Sequence, residues 1–133
     1  MSVLIDTSAF FAVLDAGDEY HQRADEIWRS LVLGEERLLS TSYVLVETIA
    51  LVQRRLGITA LRVFQEDVMS LITIEWVDES SHRAAMTGLL SSGRKRLSLV
   101  DFVSFDAMRR FGIKTAFTFD RHFREQGFGC LPS

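Results

Sequence analysis

The chain has 133 residues, 47% hydrophobic and 25% charged, with a formal net charge of −3 at neutral pH. That length suits one domain, 1–133, able to bury a core without covalent staples. One cysteine, Cys130, excludes an internal disulfide and a cysteine-rich zinc site, and the negative balance excludes a globally basic nucleic-acid binder while allowing a local basic patch. No segment reaches the roughly 18 apolar residues of a membrane span, and no basic start precedes an apolar run, so a cytoplasmic protein without membrane association is expected.

Val3-Leu4-Ile5 is an unbroken apolar run ending in Asp6-Thr7-Ser8. Such a run reads as a strand buried on both faces, as in the middle of a parallel sheet. Ala9 to Leu14 is helix-competent, and Asp15 to Asp18 reads as a break. Asp18 then caps a helix to about Leu33, with Glu19 in its first turn. Leu38-Leu39 is a short strand, Ser40 to Ser42 a turn and cap, and Tyr43 to Leu56 a helix closed by Gly57. Thr59 caps another helix to about Ser70. Leu71 to Val77 reads as a strand, and Ser80 or Ser81 begins a helix to Leu90. Arg94-Lys95-Arg96 sits in a polar, basic loop. Ser98 caps a helix to Phe111, closed by Gly112. Thr115 to Phe119 is a strand, Arg121 to Glu125 a helical turn, and Phe128 to Leu131 a last short strand. Strands alternate with helices throughout, which predicts an α/β fold with a parallel sheet.

Most of the 18 acids read as solvated helix faces, eight of them in adjacent polar pairs such as Asp25-Glu26. Four differ in their surroundings. Asp6 ends an apolar strand, where an unpaired buried charge would cost several kcal/mol, roughly. It therefore belongs at the carboxyl edge of the sheet, where open α/β folds bind ligands. Capping the next helix is an equally good account of it. Glu47 stands alone in an otherwise apolar helix, Tyr43-Val-Leu-Val-Glu47-Thr-Ile-Ala, which predicts burial with a partner, or else a face that reaches solvent. Asp101 completes a Ser-x-x-Asp capping box with Ser98, a sufficient local explanation, although a first-turn carboxylate can also face a cleft. Asp120 follows a strand as Asp6 does, with Thr118 two residues before it. If the two strands are parallel neighbours, their ends bring Asp6 and Asp120 together. Asp106 lies about 140° around the helix from Asp101 and cannot share its face; it reads as a paired acid.

Several converging carboxylates, without cysteine and without histidines at ligand spacing, make a hard-ligand site suited to Mg²⁺ or Mn²⁺ rather than zinc. Such ions remove the mutual repulsion of close carboxylates and support phosphodiester cleavage. Arg94, Lys95, Arg96, Arg121, His122 and Arg124 are cations near the two later acids and could hold phosphates, with solvated loop charge as the competing account. Of His21, His82 and His122, the last is best placed for chemistry. The aromatics, Phe102, Phe105, Phe111, Phe117 and Phe119 among them, read as core rather than as a base-stacking surface.

Leu4-Ile-Asp6-Thr-Ser8, the isolated Glu47, Ser98-Leu-Val-Asp101 and Thr118-Phe-Asp120-Arg-His-Phe123 together resemble a PIN-domain nuclease, in particular a VapC-type toxin of a toxin–antitoxin pair. The resemblance spans nearly the whole chain. It implies a PIN-like three-layer α/β/α fold with a central parallel sheet of four to five strands, and an acidic pocket binding Mg²⁺ or Mn²⁺. On that resemblance Asp6, Glu47, Asp101 and Asp120 are the catalytic, metal-binding acids, with Thr7, Ser8 and Thr118 as hydroxyls that orient them. It further implies endoribonuclease activity on tRNA or other structured RNA, a homodimer formed through the helices from Tyr43 to Ser70, and an antitoxin partner.

Other readings compete. A receiver-type phosphoacceptor domain wants paired acids after its first strand and a lysine after its last, whereas Asp6 stands alone and Lys114 precedes its strand. An aspartate-nucleophile phosphatase wants an acid where Ser8 stands. A PIN-like fold that only binds RNA or protein predicts loss of one or more of the four acids, and all four are present.

Overall fold

The computed structural model describes residues 1–94 and 96–133. Strands β1 (Ser2–Ile5), β2 (Arg37–Thr41), β3 (Thr73–Glu75), β4 (Thr115–Phe117) and β5 (Gly129–Leu131) form one parallel sheet in the order β3-β2-β1-β4-β5. Between them run helices α1 (Thr7–Leu14), α2 (His21–Leu33), α3 (Ser42–Arg55), α4 (Ile58–Val63), α5 (Glu79–Ser92), α6 (Leu99–Phe111) and α7 (His122–Glu125).

The side-chain alternation of a strand divides the core into two layers. Val3 and Ile5 of β1, Leu38 of β2 and Phe117 of β4 face one layer with Phe10, Ala24, Leu31, Val44, Leu45, Phe64 and Val68. Leu4, Leu39 and Ala116 face the other with Phe105, Met108 and Phe123. Helices α1, α2 and α3 thus cover one face and α6 and α7 the other, which is the expected three-layer arrangement with five strands. Apolar residues on both faces of β1 explain why its sequence shows no alternation.

Chain direction sets the site. From β1 the order steps outward through β2 to β3, and then returns to the other side of β1 for β4 and β5. The reversal falls between β1 and β4, and crevices at the carboxyl ends of strands open at such points. Ile5 is paired with Phe117. The residues just beyond, Asp6 and Thr118, leave the sheet side by side.

Several element boundaries differ from the sequence expectations, each for a local reason. Asp18 does not cap α2, and Glu19 lies outside the helix. The Asp18 side chain instead accepts the Tyr20 N–H at 2.8 Å, closing a turn before the helix begins at His21. The single helix expected from Thr59 to Ser70 is broken. After α4 the chain widens into a π-helical turn, Phe64–Val68, and tightens at Met69–Leu71. Phe64 and Val68 are both buried, and the Phe64 ring meets Phe10 edge-on at 5.3 Å. Leu71 to Val77 shrinks to three paired residues because Leu71 closes that last turn and the Val77 N–H donates to Ser42 Oγ at 2.9 Å. Strand β4 stops at Phe117 because the Phe119 N–H is taken by Ser8 Oγ at 3.0 Å. Asp78 rather than Ser80 or Ser81 caps α5, accepting the Ser81 N–H at 2.8 Å.

The α6 layer is centred on Phe105. Its ring is fully buried and packs edge-on to Phe102 at 5.7 Å and to Phe123 at 5.1 Å. Phe105→Ala is expected to lower the unfolding free energy by about 3–5 kcal/mol. Urea denaturation checks this, and a loss under about 1 kcal/mol would show that the layer collapses around the deletion.

Candidate active site

Asp6 occupies the N-cap position of α1, yet its side chain makes no capping hydrogen bond. Instead Asp6 Oδ2 accepts from Ser8 Oγ and from Thr118 Oγ1, each at 3.0 Å. The cap account of this residue is therefore corrected: the carboxylate turns toward the β1–β4 crevice, where hydroxyls from two strand ends converge on it. Ser8 Oγ and Thr118 Oγ1 are themselves 3.2 Å apart. Thr118 Oγ1 also accepts the Asp120 N–H at 2.9 Å, so one hydroxyl ties both strand-end acids. Thr7 does something else. Its hydroxyl accepts from Thr48 Oγ1 at 3.3 Å and joins α1 to α3.

Asp101 combines the two roles that its position in a capping box left open. The Asp101 N–H donates to Ser98 Oγ at 3.1 Å, and Asp101 Oδ2 accepts the Ser98 N–H at 3.0 Å. Held this way, the carboxylate is buried and still reaches the crevice. One ligand atom each from Asp101, Asp120 and His122 lies within 4.8 Å of the others. His122 Nδ1 is 3.2 Å from Asp120 Oδ1 and 3.6 Å from Asp101 Oδ2, but is aligned for a hydrogen bond with neither. His122 reaches the cluster because α7 begins directly after Asp120, whose Oδ1 accepts the His122 N–H at 3.0 Å. The adjacency Asp120-Arg-His122 was the sequence signal for this.

Burial is the largest influence on Asp6, and the Asp101 charge adds to it. Together they push the Asp6 carboxyl from its ordinary value of 3.8 up to about 6, against the hydrogen bonds from Ser8 and Thr118. Among the described residues, His122 is the one basic group within 4.0 Å of Asp6, Asp101 or Asp120. The hollow therefore gathers three carboxylates with too little protein charge to balance them.

Glu47 takes the solvent-facing alternative of its two expected settings. It is exposed, not buried. The α3 helix buries Val44, Leu45, Thr48 and Val52, and its opposite face, including Val46 and Glu47, meets solvent. Glu47 lines a shallow groove with Thr7, Ala50, Leu51 and Arg54. It thus flanks the residue next to Asp6 but does not join the Asp101–Asp120–His122 cluster.

Asp106 is paired, as expected, accepting from Arg110 Nε at 2.9 Å, while Arg110 also approaches Glu75 at 3.7 Å. His21 and His82 serve elsewhere, against the Ala12 carbonyl and the Tyr43 hydroxyl. Of the candidate cations, Arg94 and Arg121 share Glu125, at 2.8 and 3.4 Å, and Arg124 donates to the Pro132 carbonyl at 3.3 Å. Arg96 is exposed, and Lys95 lies outside the described residues. The aromatics are not all core. Phe105 and Phe117 are, but Phe111 and Tyr20 expose 50% and 45% of their surface.

The raised Asp6 pKa carries a sign for stability. The native state binds the proton more tightly than the unfolded chain, so the contribution of Asp6 is full below pH 3.8 and is lost as pH rises through about 6. The loss at neutral pH is on the order of 3 kcal/mol. In EDTA, Asp6→Asn is therefore expected to raise the unfolding free energy by about 1–3 kcal/mol at pH 7.5, with the gain vanishing near pH 4. Urea denaturation at the two pH values measures it, and a gain of equal size at both would remove the titration as its cause.

The PIN domain family matches residues 3–129. The 23S rRNA-specific endonuclease VapC20 of Mycobacterium tuberculosis, in strains CDC 1551 / Oshkosh and H37Rv alike, is 31% identical over 127 residues, covering 95% of each chain. The crystal structure of Mycobacterium tuberculosis VapC20, described as a sarcin–ricin loop cleaving toxin, superposes with a TM-score of 0.84 at 29% identity over 95% of both chains. FitAcB from Neisseria gonorrhoeae shares the fold, with a TM-score of 0.70 at 16% identity over 98% of this chain and 96% of that one. A match over nearly the whole length, on a sheet whose switch point carries the acidic cluster, establishes that this chain belongs to the PIN domain family.

Proposed function

We propose that this chain is a divalent-metal-dependent endoribonuclease, the toxin of a toxin–antitoxin pair, working in the cytoplasm on structured RNA. The observation that carries this is the hollow at the β1–β4 switch point: Asp101, Asp120 and His122 offer ligand atoms within 4.8 Å of one another, and Asp6, near enough to feel the Asp101 charge, is tied to Asp120 through the Thr118 hydroxyl; among the described residues His122 is the one base beside them. The similarity to an rRNA-specific endonuclease supports the reaction class and directs attention to the sarcin–ricin loop, alongside tRNA, as substrate.

The donor set fits Mg²⁺ or Mn²⁺. It is rich in carboxylate oxygens and free of thiolate, and Asp101, Asp120 and His122 offer ligand atoms within 4.8 Å of one another, with the Asp6 carboxylate tied to Asp120 through Thr118. Asp6, Asp101 and Asp120 would hold the ion, with Glu47 reaching in from the rim. A bound ion would supply charge neutralisation and an activated water for attack on a phosphodiester. The chain's own residues do the positioning. Ser8 and Thr118 fix Asp6, Thr118 and the α7 turn fix Asp120, and the Ser98 box fixes Asp101. Arg121 and Arg124 line a depression with Asp120, Arg94 reaches Glu125 of α7, and with the exposed Arg96 they can hold the RNA backbone.

RNA cleavage with Mn²⁺ and with EDTA tests the reading. Asp101→Asn keeps an acceptor for the Ser98 N–H while removing the charge. It is expected to lower kcat more than the roughly 10–100-fold typical of losing an outer-shell partner. Ser8→Ala, which unfastens Asp6 and frees the Phe119 N–H, should fall within that range. Cleavage that persists in EDTA, or in both Asp6→Asn and Asp101→Asn, would rule the mechanism out; RNA binding without cleavage by the wild type would favour a binding module. Mn²⁺ should also raise the melting temperature of the wild type and do so much less for Asp101→Asn. Equal shifts would remove Asp101 from the site.

The homodimer belongs to the same proposal. Val46, Ile58 and Val63 expose 64%, 53% and 44% of their surface on α3 and α4, apolar area that a second copy would cover. Light scattering should report twice the chain mass, and a monomer at high micromolar concentration would reject the surface.

A further inference from the structure

Beside the acidic hollow lies a second depression, lined by Tyr20, Thr118, Phe119, Asp120, Arg121 and Arg124 among others. Asp120 belongs to both. We propose that this depression is a nucleotide subsite next to the scissile bond, in which a base stacks on Tyr20 and its phosphate lies against Arg121 and Arg124. The proposal rests on the endoribonuclease reading and extends it to a residue for which the sequence pattern offered no signal.

The geometry is that of a fixed aromatic platform. Tyr20 and Phe119 are stacked, with ring centroids 4.7 Å apart and planes 11° from parallel. Phe119 takes one face of Tyr20, and the residue still exposes 45% of its surface. The platform is registered to the acids through one hydroxyl: Ser8 Oγ accepts the Phe119 N–H and donates to Asp6 Oδ2, both at 3.0 Å. The loop bearing Tyr20 is fastened as well. Asp18 accepts the Tyr20 N–H at 2.8 Å, and the neighbouring His21 ring meets the Ala12 carbonyl at 2.8 Å. A base arriving there would order little of the protein, so little of the stacking energy is spent on immobilising the platform.

The cations complete the chemistry. Arg121 leaves 67% of its side chain exposed while its Nε approaches Glu125 at 3.4 Å, and among the described residues Arg124 is fastened only to a neutral carbonyl, that of Pro132. Both keep guanidinium donors for a phosphate. Stacking is tolerant of base identity, so the subsite would set the register of the strand over Asp120 rather than read its sequence.

The test is steady-state cleavage in Mn²⁺ of a synthetic RNA hairpin carrying the sarcin–ricin loop, and of total ribosomal RNA. Tyr20→Ala should raise KM about tenfold with kcat within about twofold, the pattern of lost uniform binding. Tyr20→Phe, which keeps the ring, should recover most of that KM. Arg121→Ser should reduce the slope of log KM against log salt by about one. A folded Tyr20→Ala with wild-type KM overturns the subsite and leaves the nuclease reading standing. If Tyr20→Ala fails to fold, the Arg121→Ser slope decides, and an unchanged slope overturns the proposal. Wild-type protein that cleaves neither RNA overturns the nuclease reading and the subsite with it.

Discussion

The arrangement depends on a carboxylate kept where water cannot fully solvate it. Asp6 is 6% exposed and lies near a second acid. Ionised, it carries a desolvation cost that two hydroxyl donors only partly offset. Ser8 comes from the same strand end and Thr118 from the neighbouring strand, so the pair also locks the carboxyl ends of β1 and β4 together. The energy stored in that unbalanced charge is what a divalent cation would release. A site built to be uncomfortable when empty is a site with a preference for charge of the opposite sign.

Sheet topology explains why the acids meet. Residues 6 and 120 are distant in sequence, but β1 and β4 are adjacent and parallel, so both acids emerge at one edge. Asp101 arrives by a different route, at the first turn of α6. Its capping box holds the carboxylate by the backbone of Ser98, and the helix it starts is anchored by Phe105 and Met108 in the core. Helix capping and site building use the same atoms here, which makes Asp101 both a local stabiliser and a charge delivered to the crevice.

The hydroxyl network reaches beyond the acids. Ser8 touches Asp6 and the Phe119 backbone, and through Phe119 the stacked Tyr20. Thr118 touches Asp6 and Asp120. Two small side chains thus couple the proposed metal site to the proposed base platform. A shift of either hydroxyl would move both, so position in this site is determined collectively rather than residue by residue.

The sequence by itself determined the fold class, because apolar runs of strand length alternate with helical segments and leave few topologies open. It also singled out Asp6 and Asp120, each an acid directly after an apolar strand, while Asp101, explained locally by its capping box, joined them through the family resemblance. It left Glu47 open between burial and solvent, since an apolar helix exposes one face when it packs on only one side, and a local pattern does not say which. His122 and Tyr20 were undervalued for a related reason. Their neighbours in sequence are ordinary, and their importance comes from where a short helix and a fastened loop bring them. Local chemistry is written in the chain, but which groups share a hollow, and which face of a helix meets water, is decided by contacts between residues far apart in it.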